Sequence, residues 1–340
     1  MSAPRIFGFA LLRNGIKYDY PYRESLISLG GLCERVFLAL GNSEDDTAQS
    51  LTDLDFLEIQ NTVWDENSRR GGHILSQQTG LALQALRTFV REQEIKNAWG
   101  FYLQADEVLN EGEYDLLRED IAEASAEGFD AVRFRYLHFW QRYDQIAIGK
   151  RWYPQEIRAI RLDSEIESYG DAQSFRNAKK IFESDASIFH FGHVRDPERY
   201  KKKTREFHRW WHPDHEIPEV IARGEKIEAA EETVPYLGPY PKCMEGRMKL
   251  QISKPKKVWV VGKPENYPGL ESRIHAEEVL WGPETKAKSS GADAIVHLQP
   301  GILKKLFQNN PLSMKSKNAR PWTDDFVLRL KFAEKGVALD

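Results

Sequence analysis

What this chain of 340 residues has little of sets the first bounds on it. It has two cysteines, Cys33 and Cys243, far apart, so no disulfide framework is expected and a reducing, cytoplasmic setting fits. No stretch approaches the ~20 apolar residues that cross a bilayer, so no membrane span is expected. The N-terminus runs straight into Arg5-Ile-Phe-Gly-Phe-Ala-Leu-Leu12 with neither a basic lead nor a small-residue cleavage site. That reads as a first buried strand rather than a signal peptide. There is no excess of positive charge either. A net charge of −4 argues against a general nucleic-acid binder. Fixed-period repeats and low-complexity tracts are absent as well.

What is present points to a soluble α/β protein. Apolar residues make up 41% of the chain and aromatics 11%, ample for a packed interior, and the length is that of about two domains. Short apolar runs at Ile6–Leu12, Arg35–Leu40, Phe56–Ile59 and Phe101–Leu103 read as strands. Between them, Pro21 with Leu26, Ile27 and Leu29 reads as a helix start and its apolar face, and Leu75, Thr79, Leu83 and Leu86 recur at helical spacing. This alternation predicts a mostly parallel sheet with helices on both faces. After Gly128 the pattern changes. Ala131–Trp140 alternates and is rich in aromatics and arginine, which predicts a longer, partly exposed antiparallel strand. Glu156–Leu162 and Ser187–Phe191 read as further strands, and Asp196-Pro197 starts a charged helix reaching Trp211. A Pro- and Gly-rich stretch then marks a boundary. The expected domains are residues 1–235, a linker at 236–256, and a small α/β appendage at 257–340 holding strands at Lys257–Gly262 and Ala292–Leu298 and helix-like segments at Ile302–Phe307 and Thr323–Ala333.

The stretch Trp99–Leu109 is central to any function. A buried strand ends at Gln104-Ala-Asp-Glu107, and the carboxyl end of such a strand is where an α/β sheet binds ligands. Two adjacent carboxylates there are costly unless solvated, paired or bound to a cation. Mg²⁺ takes one or two carboxylates together with substrate phosphate oxygens, so a cation site is one reading. The other is an ordinary acidic helix start with Asp106 or Glu107 as a cap. The ring-bearing residues Tyr136, His138, Phe139, Trp140, Tyr143, Trp152 and Tyr153 read either as sheet core, the choice for most of them, or as a sugar-stacking platform, with Trp152 or Tyr153 as the exposed ones.

Four stretches in order resemble the family 2-like glycosyltransferases of GT-A fold. They are Gly8–Asn14 with Tyr20-Pro21 and Glu24-Ser25; Gly41-Asn-Ser-Glu-Asp-Asp-Thr47; Gln78-Thr79 with Tyr102-Leu-Gln-Ala-Asp-Glu107; and, more weakly, His190-Phe-Gly-His-Val-Arg-Asp-Pro197. The resemblance covers roughly residues 1–230. It implies a GT-A, Rossmann-like sheet, mostly parallel with an antiparallel extension, and a metal-assisted, inverting transfer of sugar from a nucleoside-diphosphate sugar to a hydroxyl acceptor. The acceptor would be a glycan, a lipid-linked molecule or a protein. The implied cofactor is a divalent cation, Mn or Mg, with Asp106 as leading ligand, Glu107 as a second or water-mediated one, and His190 as a ligand unless it is a satisfied structural group. Asn14, Asp45, Arg195 and Lys201 are expected at the nucleotide sugar, although Lys201–Lys203 reads equally as a solvated helix face. Asp171, on the loop Tyr169–Gln173, is the first choice of base for the acceptor hydroxyl, with Glu156 the second; Asp171 reads equally as a turn-fixing residue. Asp45 and Asp46 are alternatively helix caps, the reading preferred for Asp46. The sequence departs from the family at Gln104, where the first metal-binding Asp is expected, and at Gly41 or Asn42, where the base-contacting Asp falls. Two alternatives stand beside this reading: a binding or scaffold protein on a degenerate fold, which Gln104 supports, or a nucleotidyltransferase, which would share the sheet and the metal logic but for which Arg13-Asn14-Gly15 is a poor signature.

Overall fold

An unbroken apolar run forms the middle of the sheet. In β1 (Arg5–Leu12) Ile6, Phe7, Phe9 and Leu12 are all buried, as befits a parallel strand covered on both faces. The computed structural model describes residues 3–65, 70–149, 151–194, 204–206, 208–209, 211–228, 233–236, 239–248, 257–261, 263–264, 277–287, 289–290, 294–297 and 329–332. Within these the chain forms two compact units: Met1–His138 with Gln155–Ala230 and Pro241–Met244, and Phe139–Pro154 with Glu231–Tyr240 and Glu245–Asp340.

In the first unit, β1 is followed by α1 (Tyr22–Leu32), β2 (Val36–Gly41), β3 (Leu57–Thr62), α2 (His73–Glu92) and β4 (Ala98–Leu103). The four strands lie parallel in the order β4-β1-β2-β3. Helix α2 turns Ile74, Leu75, Ala82, Leu83 and Leu86 onto Phe7, Phe9, Phe37 and Tyr102, the packing that its 3.6-residue stripe predicts. Helix α1 packs close to the sheet because Gly8 has no side chain. A Cβ there would lie 2.8 Å from Leu29 Cγ and from Val36 Cγ2.

The chain continues through β5 (Glu107–Leu109), α3 (Tyr114–Ala126) and β6 (Ala131–Trp140). After β7 (Gln145–Ala147) come β8 (Gln155–Arg161), the ribbon of β9 (Glu167–Ser168) with β10 (Phe175–Arg176), and β11 (Ile181–His193). Strand β8 joins β4 antiparallel, β6 joins β8 antiparallel, and β11 pairs with both β5 and β6. The fold class is therefore the expected one, a Rossmann-like α/β sheet with an antiparallel extension. Strand β6 differs from expectation in being mostly buried, with Phe134, Tyr136, Phe139 and Trp140 all inside.

In the second unit Phe139 packs edge-on against Tyr236, and Thr233–Pro235 pairs antiparallel with β7. Its second sheet sets Lys257–Val261 between two parallel neighbours, Glu278–Gly282 and Ala294–His297. Arg329–Phe332 adds an antiparallel edge to Ala294–His297, so part of the segment expected to be helical is a strand. The expected helix at Ile302–Phe307 and most of the one starting at Asp196-Pro197 lie outside the described residues. Both cysteines are free thiols. Among the described residues no helix is long and apolar enough to cross a membrane.

Candidate functional site

Strands β1 and β4 lie side by side, Phe9 opposite Tyr102 and Ala10 opposite Leu103. From β1 the chain builds outward through β2 and β3, then returns through α2 to place β4 on the other flank of β1. At such a switch point the connections leave in opposite directions and a crevice opens beyond the strand ends. The crevice is a cleft of about 650 Å³, counted to its open mouth. Leu11, Leu12 and Arg13 line it from the end of β1, and Gln104, Ala105 and Asp106 from the end of β4. Tyr18, Tyr20, Trp64 and Leu75 complete the wall.

The wall is largely aromatic, and Arg13 brings a fixed cation to it. The Arg13 guanidinium lies 5.5 Å from the Trp64 ring centroid, and its Nε donates to the Asn42 carbonyl at 3.2 Å. The Tyr18 hydroxyl donates to Glu206 Oε2 at 2.7 Å. Burial, together with that carboxylate, pushes its pKa up to about 12, so the ring presents a neutral phenol.

Asn14 and Asp45 sit where the loops after β1 and β2 meet. Buried Asn14 takes a left-handed backbone, φ 54°, a conformation asparagine tolerates better than most residues. Its backbone N–H donates to Ser43 Oγ at 3.0 Å, and its Oδ1 accepts from the Glu44 N–H at 2.8 Å. Asp45 Oδ2 accepts from the Lys17 N–H at 2.6 Å, and Oδ1 accepts from the Thr47 N–H at 3.0 Å and from the Thr47 hydroxyl. In these bonds both residues hold two loops together. The local turn is fixed by Asp45, one of the two cap candidates in the sequence, although the cap reading was preferred for Asp46.

Asp106 and Glu107 part company. Glu107 opens β5 and turns inward, fully buried. Arg158 grips it with two bonds, Nε to Oε2 at 2.9 Å and Nη2 to Oε1 at 2.7 Å. The Tyr136 hydroxyl donates to Oε1 at 2.9 Å and the Gln104 N–H to Oε2 at 3.0 Å. Arg158 is itself fully buried, with the Tyr102 and Tyr136 rings 5.2 and 5.1 Å from its guanidinium carbon. This differs from the open carboxylate pair expected. With every acceptor direction engaged and its charge balanced, Glu107 leaves the set of candidate ligands.

Asp106 stays on the cleft, and the sheet brings His190 to it. Strand β11 runs antiparallel to β5 with His190 opposite Glu107, and the Phe191 N–H donates to the Asp106 carbonyl at 2.8 Å. His190 Nε2 then lies 3.9 Å from Asp106 Oδ1. On its other side His190 Nδ1 is 2.9 Å from Nδ1 of His138, a buried residue of β6. The gap between Asp106 and His190 exists because residue 192 is glycine. A Cβ there would sit 2.6 Å from His190 Nε2 and 2.8 Å from Asp106 Oδ2. Among the described residues no three His, Cys, Asp or Glu side chains converge to hold a metal ion.

Gln104 ties the next loop to this corner. Its Nε2 donates to the Ala172 carbonyl at 3.1 Å. In that loop Asp171 Oδ1 accepts from the Gln173 N–H at 3.3 Å, while Gln173 Nε2 donates to Glu156 Oε1 at 2.6 Å. Neither Asp171 nor Glu156 is among the residues lining the cleft, and Glu156 is buried. Arg195 and Lys201 lie outside the described residues.

No family model and no curated protein matches the chain. Among solved structures it is similar to S. aureus TarS, at 14% identity and a TM-score of 0.35 over 66% of this chain and 44% of that one. The chain thus spans less than half the length of TarS. It is similar also to 4-diphosphocytidyl-2C-methyl-D-erythritolsynthase from Anaerococcus prevotii, at 13% identity and a TM-score of 0.33, over 59% of this chain and 97% of the other. A third is HddC from Yersinia pseudotuberculosis, at 14% identity and a TM-score of 0.31, over 59% and 99% of the two chains. Likeness at this level carries no chemistry across, so the site has to be read from its own geometry.

Some of that geometry was visible in the sequence. Asp106 and His190 stood out as chemistry-bearing residues at strand ends. Arg13, Tyr18, Arg158 and Gly192 did not, and His138 stood out only as one of the ring-bearing residues read as sheet core or sugar platform. Tyr136 and His138 alternate along β6 and so share a face, the one local signal that linked them.

Proposed function

We propose that the chain is a glycosyltransferase that moves a sugar from a nucleoside-diphosphate sugar to a hydroxyl of a glycan, lipid-linked or protein acceptor. The observation that carries this reading is Asp106 standing at the mouth of an aromatic-walled crevice at the switch point of a Rossmann-like sheet. Flat faces at Tyr18, Tyr20 and Trp64 suit a nucleobase, and Arg13 offers a fixed positive charge for a phosphate oxygen. Arg195 and Lys201 join the reading as further phosphate partners. Asn14 and Asp45 contribute through the loops they hold.

A divalent cation, Mn or Mg, fits the residues present. The 3.9 Å between Asp106 Oδ1 and His190 Nε2 is within twice a metal–ligand bond of roughly 2.1 Å. Gly192 keeps that space clear. Two protein ligands leave the remaining positions to diphosphate oxygens and water, the usual habit of Mg²⁺. When bound, the ion supplies positive charge against the diphosphate as the bond to the anomeric carbon breaks. Asp106 and His190 would hold it, and Gln104 would keep the loop carrying Asp171 against the end of β4. Asp171, with Glu156 as second choice, would take the proton of the acceptor hydroxyl as it attacks from the face opposite the leaving group, with inversion.

Release of nucleoside diphosphate from a panel of nucleotide sugars with Mn²⁺ tests the proposal. Turnover is expected in the intact protein and lower by roughly a hundredfold or more in Asp106→Asn. Pyrophosphate formed from a nucleoside triphosphate and a sugar phosphate would replace this reading with nucleotidyl transfer. No calorimetric binding of any nucleotide would leave a scaffold.

A further inference from the structure

We infer that Glu206 is a positioning residue for the nucleotide: it fixes the Tyr18 ring in the cleft wall against which the base lies. The inference rests on the nucleotide-sugar reading above. Glu206 stands 188 residues further along the chain than Tyr18, in a helical turn at 204–206 that follows β11. One of its oxygens, Oε2, takes donors from two consecutive residues of the loop after β1. These are the Tyr18 hydroxyl at 2.7 Å and Lys17 Nζ at 2.8 Å. Lys17 Nζ also donates to Glu44 Oε2 at 3.0 Å, in the loop after β2. A hydrogen bond from a phenol to a carboxylate is charge-assisted and roughly twice as strong as a neutral one. The Asn14 side chain bonds the same hydroxyl, so the phenol oxygen is held from two sides.

The backbone of the loop is fastened from another quarter. Asp45 Oδ2 accepts from the Lys17 N–H at 2.6 Å, Thr47 Oγ1 accepts from the Ile16 N–H at 3.3 Å, and the Tyr20 N–H donates to the Gly15 carbonyl at 3.0 Å. These bonds do not run through Glu206, whose two bonds above are to side chains. Its loss therefore leaves the loop in place and loosens the ring. That ring lines the cleft and packs edge-on against Tyr20, the neighbouring ring of the wall, at 5.9 Å between centroids. A loose side chain has to be immobilised when a ligand arrives, and that ordering costs affinity. A ring already fixed by Glu206 spares the ligand the cost, although Glu206 acts only through Tyr18.

Calorimetry on the full chain with Mn²⁺ tests this, using a panel of nucleoside diphosphates and the monophosphate that matches the tightest binder. Glu206→Ala should raise both dissociation constants about three- to tenfold, and by the same factor, because Tyr18 meets the base that the two ligands share. Tyr18→Phe keeps the ring and removes the tether from its other end, and should cost at least as much. In the Tyr18→Phe background, Glu206→Ala should add less than about twofold, the coupling expected when one residue acts through another. Without ligand, ¹³C spectra of the tyrosine-labelled chain should show the Tyr18 ring signal, assigned by its loss in Tyr18→Phe, moving toward the averaged position in Glu206→Ala. The Ile16, Lys17 and Thr47 amides, which the loop after β2 holds, should keep their shifts. An unmoved Tyr18 signal, or losses that add in the double variant, overturns the inference. Nucleotide binding indifferent to Glu206 overturns it alone. If the unaltered protein bound no nucleotide, the nucleotide reading would fall and take the inference with it, so the two failures are distinguishable.

Discussion

Arg158 is a full positive charge held where water does not reach, and Glu107 is its carboxylate partner. Burying an ion pair costs several kcal/mol per ion, and the attraction repays this only when geometry is good and the remaining hydrogen bonds are filled. Both conditions hold: two parallel N–H···O bonds join the pair, Tyr136 and the Gln104 N–H complete the carboxylate, and the Ile157 and Gln173 carbonyls accept from Arg158 Nη1 at 2.8 Å each. Removing one partner strands the other. Arg158→Met should therefore lower unfolding stability by about 3–5 kcal/mol, read from the urea midpoint. The double variant Arg158→Met with Glu107→Leu should recover most of that loss, because an apolar replacement of a buried pair is often neutral. A single variant within about 1 kcal/mol of the original would mean that Glu107 finds water or a proton cheaply, contrary to its burial. The point bears on the site as well, since Glu107 sets the strand start that carries Asp106 beside it.

At the level of elements, α3 is fixed to β11 by an acid out of its usual range. Asp120 on α3 accepts a hydrogen bond from the Ser184 hydroxyl of β11. Burial raises its pKa from 3.8 to about 6, with Asp185, Glu123 and Glu119 adding to the rise and Ser184 opposing it. A carboxyl whose folded pKa is raised stabilises the fold while protonated. That contribution is complete below pH 3.8 and is lost as pH rises through about 6. Asp120→Asn should thus match the parent in acid and exceed it above pH 6 by about 3 kcal/mol, two pKa units at 1.36 kcal/mol each. Urea unfolding at several pH values checks this, and a difference independent of pH would refute it. Helix α3 and strand β5 were also the elements least legible in the sequence. Three residues, Glu107–Leu109, make a strand only because β11, some eighty residues later, supplies the partner. Local pattern could offer only a helix start at that acidic pair. The strand alternation that follows explains the outcome: Asp106 and Glu107 are neighbours in a chain turning extended, so they point to opposite sides. Arg329–Phe332 is a strand for the same reason, its partner Ala294–His297 lying far back in the chain. By contrast β1, β2 and α2 needed no distant partner to be read. Apolar runs and a 3.6-residue stripe specify them locally.

For the whole molecule, the order β4-β1-β2-β3 matters more than any one side chain, because it decides where a crevice can open. The switch between β1 and β4 places Arg13, Tyr18, Trp64 and Asp106, drawn from three separate segments, around one space. A ligand that fills this space binds the folded first unit and not its unfolded chain, so it must stabilise that unit by mass action. At one hundred times its dissociation constant the gain is about 2.7 kcal/mol, which corresponds to a roughly hundredfold slowing of amides that exchange through unfolding. The amides of β1 and β4 hydrogen-bond within the sheet core and should show this slowing with a nucleoside diphosphate and Mn²⁺ together. Asp106→Asn should abolish the Mn²⁺-dependent part. The altered protein keeps the Phe191 N–H bond to the residue 106 carbonyl, so its backbone protection without ligand should match the parent. If saturating nucleotide left β1 and β4 exchange unchanged, the crevice at the switch point would not be a nucleotide site, however well its walls suit one.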